Sequence, residues 1–140
     1  LYPYVRKFLE DRTCGIDFSG VVVEVPPLNR SGFKVGDEVY GTVPPASGSF
    51  AEAVLCPTDT IAMKPATMTF VEAAAVPLVG LTALQALRDA GIQRGHHVLV
   101  LGGSGGTGHV AVQVAHALGA QVTAVCSARN TDMVKSLGAD

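Results

Sequence analysis

Charged residues are scarce in this chain. Asp, Glu, Lys and Arg make up 16% of its 140 residues, and 48% of the residues are hydrophobic, whereas about 25% of a typical soluble chain is charged. This composition excludes a disordered chain, which combines low hydrophobicity with high net charge. The formal net charge is only −2, so we expect no nucleic-acid partner and no attraction to an anionic membrane. The length excludes a large multidomain enzyme.

Cysteine and long apolar runs are also scarce. The three cysteines, Cys14, Cys56 and Cys126, form no CxxC motif, and an odd number of distant cysteines is a poor disulfide framework. We therefore expect three free thiols in a reducing compartment. No apolar run reaches the roughly 18 residues that a membrane span needs, and the best candidate, 110–128, is interrupted by polar residues and glycine. The sequence predicts no transmembrane span.

Glycine, by contrast, is abundant. It accounts for 16 of the 140 residues, or about 11% against an average near 7%. Because glycine has no Cβ, we expect tight turns or a close approach of the backbone to a ligand.

About the first 60 residues predict short β-strands. The β-branched run 20–25 and the alternation of apolar and polar residues over 49–55 are typical of strands. Gly36-Asp37 predicts a turn that leads into a further short strand ending at Gly41. Short strands at this spacing favour a small barrel or sandwich.

Helical signals begin after Lys64-Pro65. Thr69 and Glu72 have the capping-box spacing that starts a helix, which we expect to run until Pro77. Residues 81–90 predict a second helix that ends at Gly91.

The segment 95–128 contains no Asp, Glu, Lys or Arg. It predicts a strand at 97–101, a glycine loop, a helix at 107–118 and a strand at 121–126, with the next helix beginning at Thr131. Strands that are apolar throughout are typical of a parallel sheet covered on both faces. The sequence therefore predicts a βαβ unit.

The glycine loop fits the pattern GxGxxG between a predicted strand and a predicted helix, the context that makes this pattern specific for a dinucleotide. A helix start has unpaired N–H groups and a partial positive charge, so a diphosphate binds there if no side chain blocks it. No Gly-Lys-Ser/Thr follows, which disfavours a Walker loop. A glycine-rich turn without a ligand is the alternative. The predicted cofactor-binding residues are Gly103, Ser104, Gly105, Gly106, Thr107 and Gly108.

Individual roles follow from this pattern. Gly103 is expected to allow the turn, Gly105 to admit the phosphate and Gly108 to let helix and strand pack closely. Ser104 and Thr107 add hydroxyl donors.

The end of the second strand predicts the type of dinucleotide. An NAD site usually has Asp or Glu about 20 residues past the glycines, but the first acidic residue here, Asp132, comes too late. Ser127 can donate a hydrogen bond to a 2′-phosphate, and Arg129 can form an ion pair with it. We therefore expect NADPH rather than NADH. In the alternative interpretation, Arg129 is a solvated residue at a helix start.

With these motifs assembled, the chain resembles the medium-chain dehydrogenase/reductase superfamily. Within it, the chain is similar to the zinc-free quinone oxidoreductase branch, which includes the reticulon-interacting mitochondrial reductases. The matching blocks run in family order over most of the chain. They are Gly15-Ile16-Asp17-Phe18-Ser19-Gly20-Val21-Val22, 33–41, Gly48-Ser49-Phe50-Ala51-Glu52, 73–83, 98–108 and Leu137-Gly138-Ala139-Asp140.

The resemblance implies an α/β fold in which a GroES-like β domain precedes a Rossmann doubly wound parallel sheet, with the active site in the cleft between them. We expect a partial GroES-like catalytic domain at 1–64 and a partial Rossmann NADP-binding domain at 65–140. The chain is then a fragment, and 1–12 departs from the pattern. Relatives are mitochondrial, plastid or cytosolic, and they often form homodimers through the edge of the Rossmann sheet.

The resemblance also bears on zinc. Zinc-dependent relatives carry a Gly-His-Glu motif where this chain has Gly15-Ile16-Asp17, and four close cysteines where 41–50 has none. We interpret Asp17 as a structural residue rather than as an acid or base. All four histidines are interpreted as solvated or core residues, so no metal is expected. They are His96, His97, His109 and His116.

The implied chemistry is hydride transfer from the nicotinamide to a quinone or an α,β-unsaturated carbonyl, a small-molecule substrate. The protein orients the cofactor and binds the carbonyl oxygen as charge develops. Thr82 is implied as a contact on the nicotinamide side, with a helix N-cap as its alternative role. Two other functions stay open: an enoyl-thioester reductase of the same superfamily, and a dinucleotide-binding interaction protein without turnover.

Overall fold

A computed structural model describes residues 13–26, 31–44 and 47–140. The segment 1–12 and Pro27, which follows the strand predicted at 20–25, lie outside these ranges. The chain divides into two compact units, Leu1–Leu78 and Val79–Asp140. The domain boundary after residue 64 stays a prediction.

The first unit contains a three-stranded antiparallel sheet. Its strands lie in the order β1 (Asp17–Val21), β2 (Glu38–Thr42) and β3 (Ile61–Met63). Its register places Ser19 opposite Tyr40, and Tyr40 opposite Ala62. The side chains of Val39 and Val43 are buried in this region, as is that of Ala73. A short 3₁₀ helix, Thr58–Thr60, leads into β3.

Strand β1 lies earlier in the sequence than the predicted strand 20–25. Its ladder with β2 ends where Val21 faces Glu38. The Val22 N–H then donates to the Asp37 oxygen at 2.9 Å, which closes the connection between the two strands. The prediction of a strand to Val25 is wrong because β-branched residues favour a strand only where a neighbouring strand pairs with them.

The strand predicted at 49–55 is also wrong. The N–H groups of Ser49 and Phe50 each donate to the Cys14 oxygen at 2.9 Å, but the backbone beyond them forms no ladder with the described residues. Leu55 is 92% exposed. Alternation predicts an apolar face, whereas a strand also needs a backbone partner along its length.

Helix α1 (Phe70–Ala74) begins at the predicted capping box. Thr69 Oγ1 accepts from the Glu72 N–H at 3.2 Å, and Glu72 Oε2 accepts from the Thr69 N–H at 2.8 Å. Helix α2 (Pro77–Asp89) starts at Pro77 and not at the predicted residue 81. Proline suits the first position of a helix, because its missing N–H has no acceptor there.

The second unit contains the predicted βαβ arrangement. Strands β4 (His97–Leu101) and β5 (Gln121–Val125) are parallel, and His97 faces Gln121 at the start of the register. Helix α3 (Gly106–Ala117) connects them. After β5, a short 3₁₀ helix, Ala128–Asn130, leads into α4 (Thr131–Ser136).

One face of this parallel sheet carries the core of the second unit. Its buried members include Val100 and Val122 on the strands and Val112 and Val134 on the helices. The opposite face is uncovered by the described residues, although the sequence predicts cover on both faces. The side chains of Leu99, Leu101 and Val125 on that face are 62%, 74% and 51% exposed.

Candidate functional site

The glycine loop lies at the carboxyl edge of the parallel sheet, between β4 and α3. The N–H groups of Gly102 and Gly103 donate to the oxygen of Val125, the last residue of β5, at 3.0 and 2.9 Å. These bonds hold the loop next to the segment that follows β5. Ligands of open α/β sheets bind outside this edge, at the ends of the strands.

The glycines of the loop have different structural tasks. Gly102 has a φ of +77° and carries the left-handed turn, a task that the sequence assigns to Gly103. A Cβ on Gly103 would lie 2.8 Å from the Ala124 Cβ, so Gly103 packs the loop on β5. A Cβ on Gly108 would lie 2.1 Å from the Gly102 oxygen. The sequence predicts that Gly108 lets the helix and the strand pack closely. In the structure, Gly108 lets α3 pack closely against the glycine loop.

The start of α3 offers unpaired backbone donors. Its N-cap residue, Gly105, makes no side-chain cap, and the first bond of the helix runs from the His109 N–H to the Gly105 oxygen at 3.0 Å. The N–H groups of Gly106, Thr107 and Gly108 therefore have no acceptor inside the helix.

The space in front of these donors is open among the described residues. A Cβ on Gly105 would meet only the Gly102 oxygen, at 3.3 Å, and one on Gly106 would meet only Val79 Cγ1, at 3.8 Å. Gly105, Gly106 and Thr107 are exposed, and Ser104 is half-buried. Free amides, a positive helix end and the absence of blocking side chains fit a diphosphate.

His109, which lies near the start of α3, contacts the glycine loop, although the sequence interprets it as a solvated or core residue. Its Nδ1 lies 2.9 Å from the Gly105 oxygen. Because a carbonyl can only accept, Nδ1 carries the hydrogen. The spacing of four residues between Gly105 and His109 at a helix start is the sequence signal that could have revealed this contact.

Ser127 and Arg129 lie in the segment after β5. Asn130 Nδ2 donates to Ser127 Oγ at 3.1 Å, so the Ser127 hydroxyl proton can donate to a further acceptor. Ser127 and Arg129 are exposed, and Arg129 makes no ion pair within the described ranges. Asp132 lies in the first turn of α4. Asn130 is not among the residues predicted from the sequence, although the Ser-x-x-Asn spacing is a signal for this contact.

Thr82 lies inside helix α2, so its alternative role as a helix N-cap is wrong. A Cβ on Gly106 would lie 3.8 Å from Val79 Cγ1, which places the first turn of α2 beside the start of α3. Residues three apart share a helix face, so Thr82 follows Val79 along the face that reaches α3. Its contact with a nicotinamide stays a prediction.

Other classes of site find little support in the part of the chain that the structure describes. No group of three His, Cys, Asp or Glu side chains there is placed to hold a metal ion. None of the described helices has the length and apolar character to cross a membrane. Cys14, Cys56 and Cys126 are free thiols in the structure.

A parallel βαβ unit with an open glycine loop at its carboxyl edge, preceded by an antiparallel sheet, is the arrangement typical of nucleotide-binding α/β proteins. Comparison with known proteins identifies the class more closely: over most of its length, the chain is similar to oxidoreductases of the medium-chain dehydrogenase/reductase superfamily. No family model matches it.

Two curated relatives illustrate the similarity. The chain is 42% identical over 134 residues to the mitochondrial NAD(P)H oxidoreductase RTN4IP1 of Mus musculus, a match that covers 91% of this chain and 34% of the relative. It is 43% identical over 135 residues to the 2-methylene-furan-3-one reductase of Solanum lycopersicum, with 90% and 34% covered. The chain thus spans about a third of the length of these relatives.

Solved structures agree with this assignment. The quinone oxidoreductase from Coxiella burnetii matches with a TM-score of 0.86 and 39% identity, covering 98% of this chain and 44% of that one. The CurK enoyl reductase matches with a TM-score of 0.75 and 32% identity, covering 94% and 39%. The predicted fold class, a partial GroES-like domain followed by the first part of a Rossmann sheet, is confirmed.

Proposed function

We propose that the whole protein is a zinc-independent, NADPH-dependent oxidoreductase that transfers hydride to a quinone or an α,β-unsaturated carbonyl. The observation that carries this proposal is the open start of α3. The amides of Gly106, Thr107 and Gly108 have no intrahelical acceptors. The space in front of them is open, because even a Cβ on Gly105 would contact only the Gly102 oxygen. Such a site favours a diphosphate group.

The proposed cofactor site extends along the loop. Gly102 and Gly103, bonded to Val125, keep the loop on the sheet edge, and the hydroxyls of Ser104 and Thr107 add donors for phosphate oxygens. When bound, the dinucleotide supplies the hydride, and the protein orients it and excludes water. Thr82 is proposed to lie on the nicotinamide side.

Preference for NADPH is proposed from the segment after β5. The Ser127 hydroxyl, which accepts from Asn130, has its own proton available for a 2′-phosphate. The exposed Arg129 supplies a positive charge beside it. A charge-assisted hydrogen bond contributes about 1.5–3 kcal/mol, or roughly ten- to hundredfold in affinity. NADH lacks the phosphate and would gain nothing from Arg129.

The proposed substrate class and zinc independence rest on different observations. Relatives named as a quinone oxidoreductase and as a furanone reductase support an acceptor with a polarised double bond. Zinc independence is supported by Gly15-Ile16-Asp17, which replaces the Gly-His-Glu of zinc-dependent relatives. The similarity to the CurK enoyl reductase favours one second candidate, reduction of an enoyl thioester.

The test is an assay of the purified whole protein. Loss of NADPH absorbance is followed with a quinone, an enone and an enoyl thioester in parallel, and each assay is repeated with NADH. We expect faster oxidation of NADPH than of NADH with the quinone or the enone. Turnover with the thioester alone would favour the second candidate, and dinucleotide binding without any turnover would favour an interaction protein.

A matched variant separates this activity from that of a contaminant. Gly105 has a φ of −79°, which other residues adopt readily. Gly105→Asp therefore places a negative charge in front of the free amides with little backbone strain. We expect this variant to lose dinucleotide binding and turnover together, and retained turnover would contradict the proposed site.

A further inference from the structure

The carbonyl of Gly105 accepts two hydrogen bonds from one residue. The His109 backbone N–H donates at 3.0 Å, and the His109 Nδ1 donates at 2.9 Å. The second bond is unusual for a helix start, where the cap normally comes from the side chain of the N-cap residue. Gly105 has no side chain, and α3 has no side-chain cap at its N-terminus.

The peptide between Gly105 and Gly106 links this carbonyl to the proposed diphosphate site. A trans peptide is planar, and its C=O and N–H point in opposite directions. Because His109 draws the Gly105 oxygen toward the helix, the Gly106 N–H points away from the helix, into the open space in front of it. Without the ring, the bond from the His109 backbone N–H would be the remaining hydrogen bond on the Gly105 oxygen, and the two neighbouring glycines would allow this peptide more freedom to rotate.

We propose that His109 is a positioning residue for the diphosphate site. Its Nδ1–H holds the Gly105–Gly106 peptide so that the Gly106 amide is directed at a phosphate oxygen before the cofactor arrives. This inference rests on the proposed dinucleotide binding. In this role, His109 increases the affinity for the cofactor, and its ring takes no part in hydride transfer.

The same helix contains a matched control. Gln113 Nε2 donates to the His109 oxygen at 3.0 Å, again from a side chain to the carbonyl four residues earlier. This bond lies one turn further from the loop, and Gln113 is exposed. Gln113→Leu therefore removes an equivalent bond of α3 without affecting the peptide that precedes Gly106.

The experiment measures the Kd for NADPH and the steady-state constants of the whole protein, as wild type and as three variants. The variants are His109→Leu, His109→Asn and Gln113→Leu. His109→Asn keeps an N–H donor at the place of Nδ1 and has no titratable ring. Thermal unfolding confirms that each variant is folded.

We expect His109→Leu to weaken NADPH binding about three- to tenfold, the effect of one hydrogen bond. The KM for NADPH should rise with the Kd, and kcat at saturating cofactor should stay unchanged. His109→Asn should restore most of the affinity, and Gln113→Leu should bind like the wild type.

Two results would overturn the positioning role alone: wild-type affinity in His109→Leu, or an equal loss in Gln113→Leu. A wild type that binds neither NADPH nor NADH would overturn the proposed function together with this inference.

Discussion

The carboxylate of Asp17 accepts a hydrogen bond from the backbone amide of Leu78, with Oδ1 and N 3.1 Å apart. Both residues belong to the first unit. Leu78 lies in the first turn of α2, where backbone N–H groups have no acceptor inside the helix. Asp17 thus caps a helix from a distant strand, the structural role that the sequence analysis favours for it.

Variants of Asp17 should distinguish the stabilising effect of the helix cap from the effect of the negative charge. Asp17→Asn keeps an oxygen acceptor for Leu78, whereas Asp17→Ala removes it. We expect Asp17→Ala to lower the free energy of unfolding by about 1 kcal/mol, the usual effect of losing a helix cap. Asp17→Asn should be at least as stable as the wild type at neutral pH, in urea unfolding of the whole protein. Equal losses in both variants would contradict the capping role.

The same residue predicts a pH dependence. Burial raises the pKa of Asp17 above its ordinary value of 3.8, against the opposing effect of the hydrogen bond from Leu78. A raised pKa in the folded state means that the folded protein binds the proton more tightly, so this contribution to stability is complete below pH 3.8 and is lost as the pH rises through the folded pKa. Asp17→Asn should remove this part of the pH profile of unfolding.

Two alanine substitutions at the start of α3 should have opposite effects. The Cβ of Gly108→Ala would lie 2.1 Å from the Gly102 oxygen, and that of Gly106→Ala would lie 3.8 Å from Val79 Cγ1, an ordinary contact. We expect Gly108→Ala to reduce the free energy of unfolding by roughly 1–3 kcal/mol, as overpacking does. Gly106→Ala should leave it unchanged or raise it, since alanine favours a helix. Unfolding in urea measures both, and a harmless Gly108→Ala would contradict the packing.

The elements that the sequence predicts best depend on local signals. The capping box of α1 and the strand–loop–helix–strand order of the second unit need only neighbouring residues, and both are found. The predicted start of α2 is wrong because Pro77, which suggests a helix end, also suits a helix start. The predicted strand at 49–55 fails because its partner backbone is a tertiary feature, which alternation along the chain does not specify.

In the candidate site, too, local signals are predicted from the sequence and tertiary contacts are not. Its glycines are recognisable because GxGxxG lies between a strand and a helix. The bond from Asn130 to Ser127 and the ring of His109 were missed, because hydrogen bonds of side chains depend on rotamers and on the exact path of the backbone. Gly102 was missed because a neighbouring glycine satisfied the motif, and only the φ of +77° identifies the residue that makes the turn.

Cofactor preference should respond to Ser127. Ser127→Asp places a carboxylate where the 2′-phosphate of NADPH is proposed to bind, and a carboxylate there suits the 2′-hydroxyl of NADH instead. We expect the ratio of kcat/KM for NADPH to that for NADH to fall by roughly ten- to hundredfold. Thr131→Asp is the control, since it adds the same charge at an exposed position four residues later. An unchanged ratio in Ser127→Asp would refute the assignment.

The uncovered face of the parallel sheet predicts how the 140-residue chain behaves alone. Leu99 and Leu101 lie two residues apart on that face and are 62% and 74% exposed. Exposed apolar patches promote association. We expect the isolated chain to bind a hydrophobic dye and to self-associate in size-exclusion chromatography. Leu99→Glu should weaken both effects. Thr123→Glu is the control, because Thr123 faces Leu99 in the register and is already polar.

The whole protein should respond to Leu99→Glu in the opposite sense. If further segments cover this face there, as similarity to longer relatives leads us to expect, the substitution buries a charge. A buried and unpaired charge destabilises a fold strongly, so the unfolding midpoint should fall more for Leu99→Glu than for Thr123→Glu. Midpoints equal to that of the wild type in both variants would show that the face stays exposed to solvent in the whole protein as well.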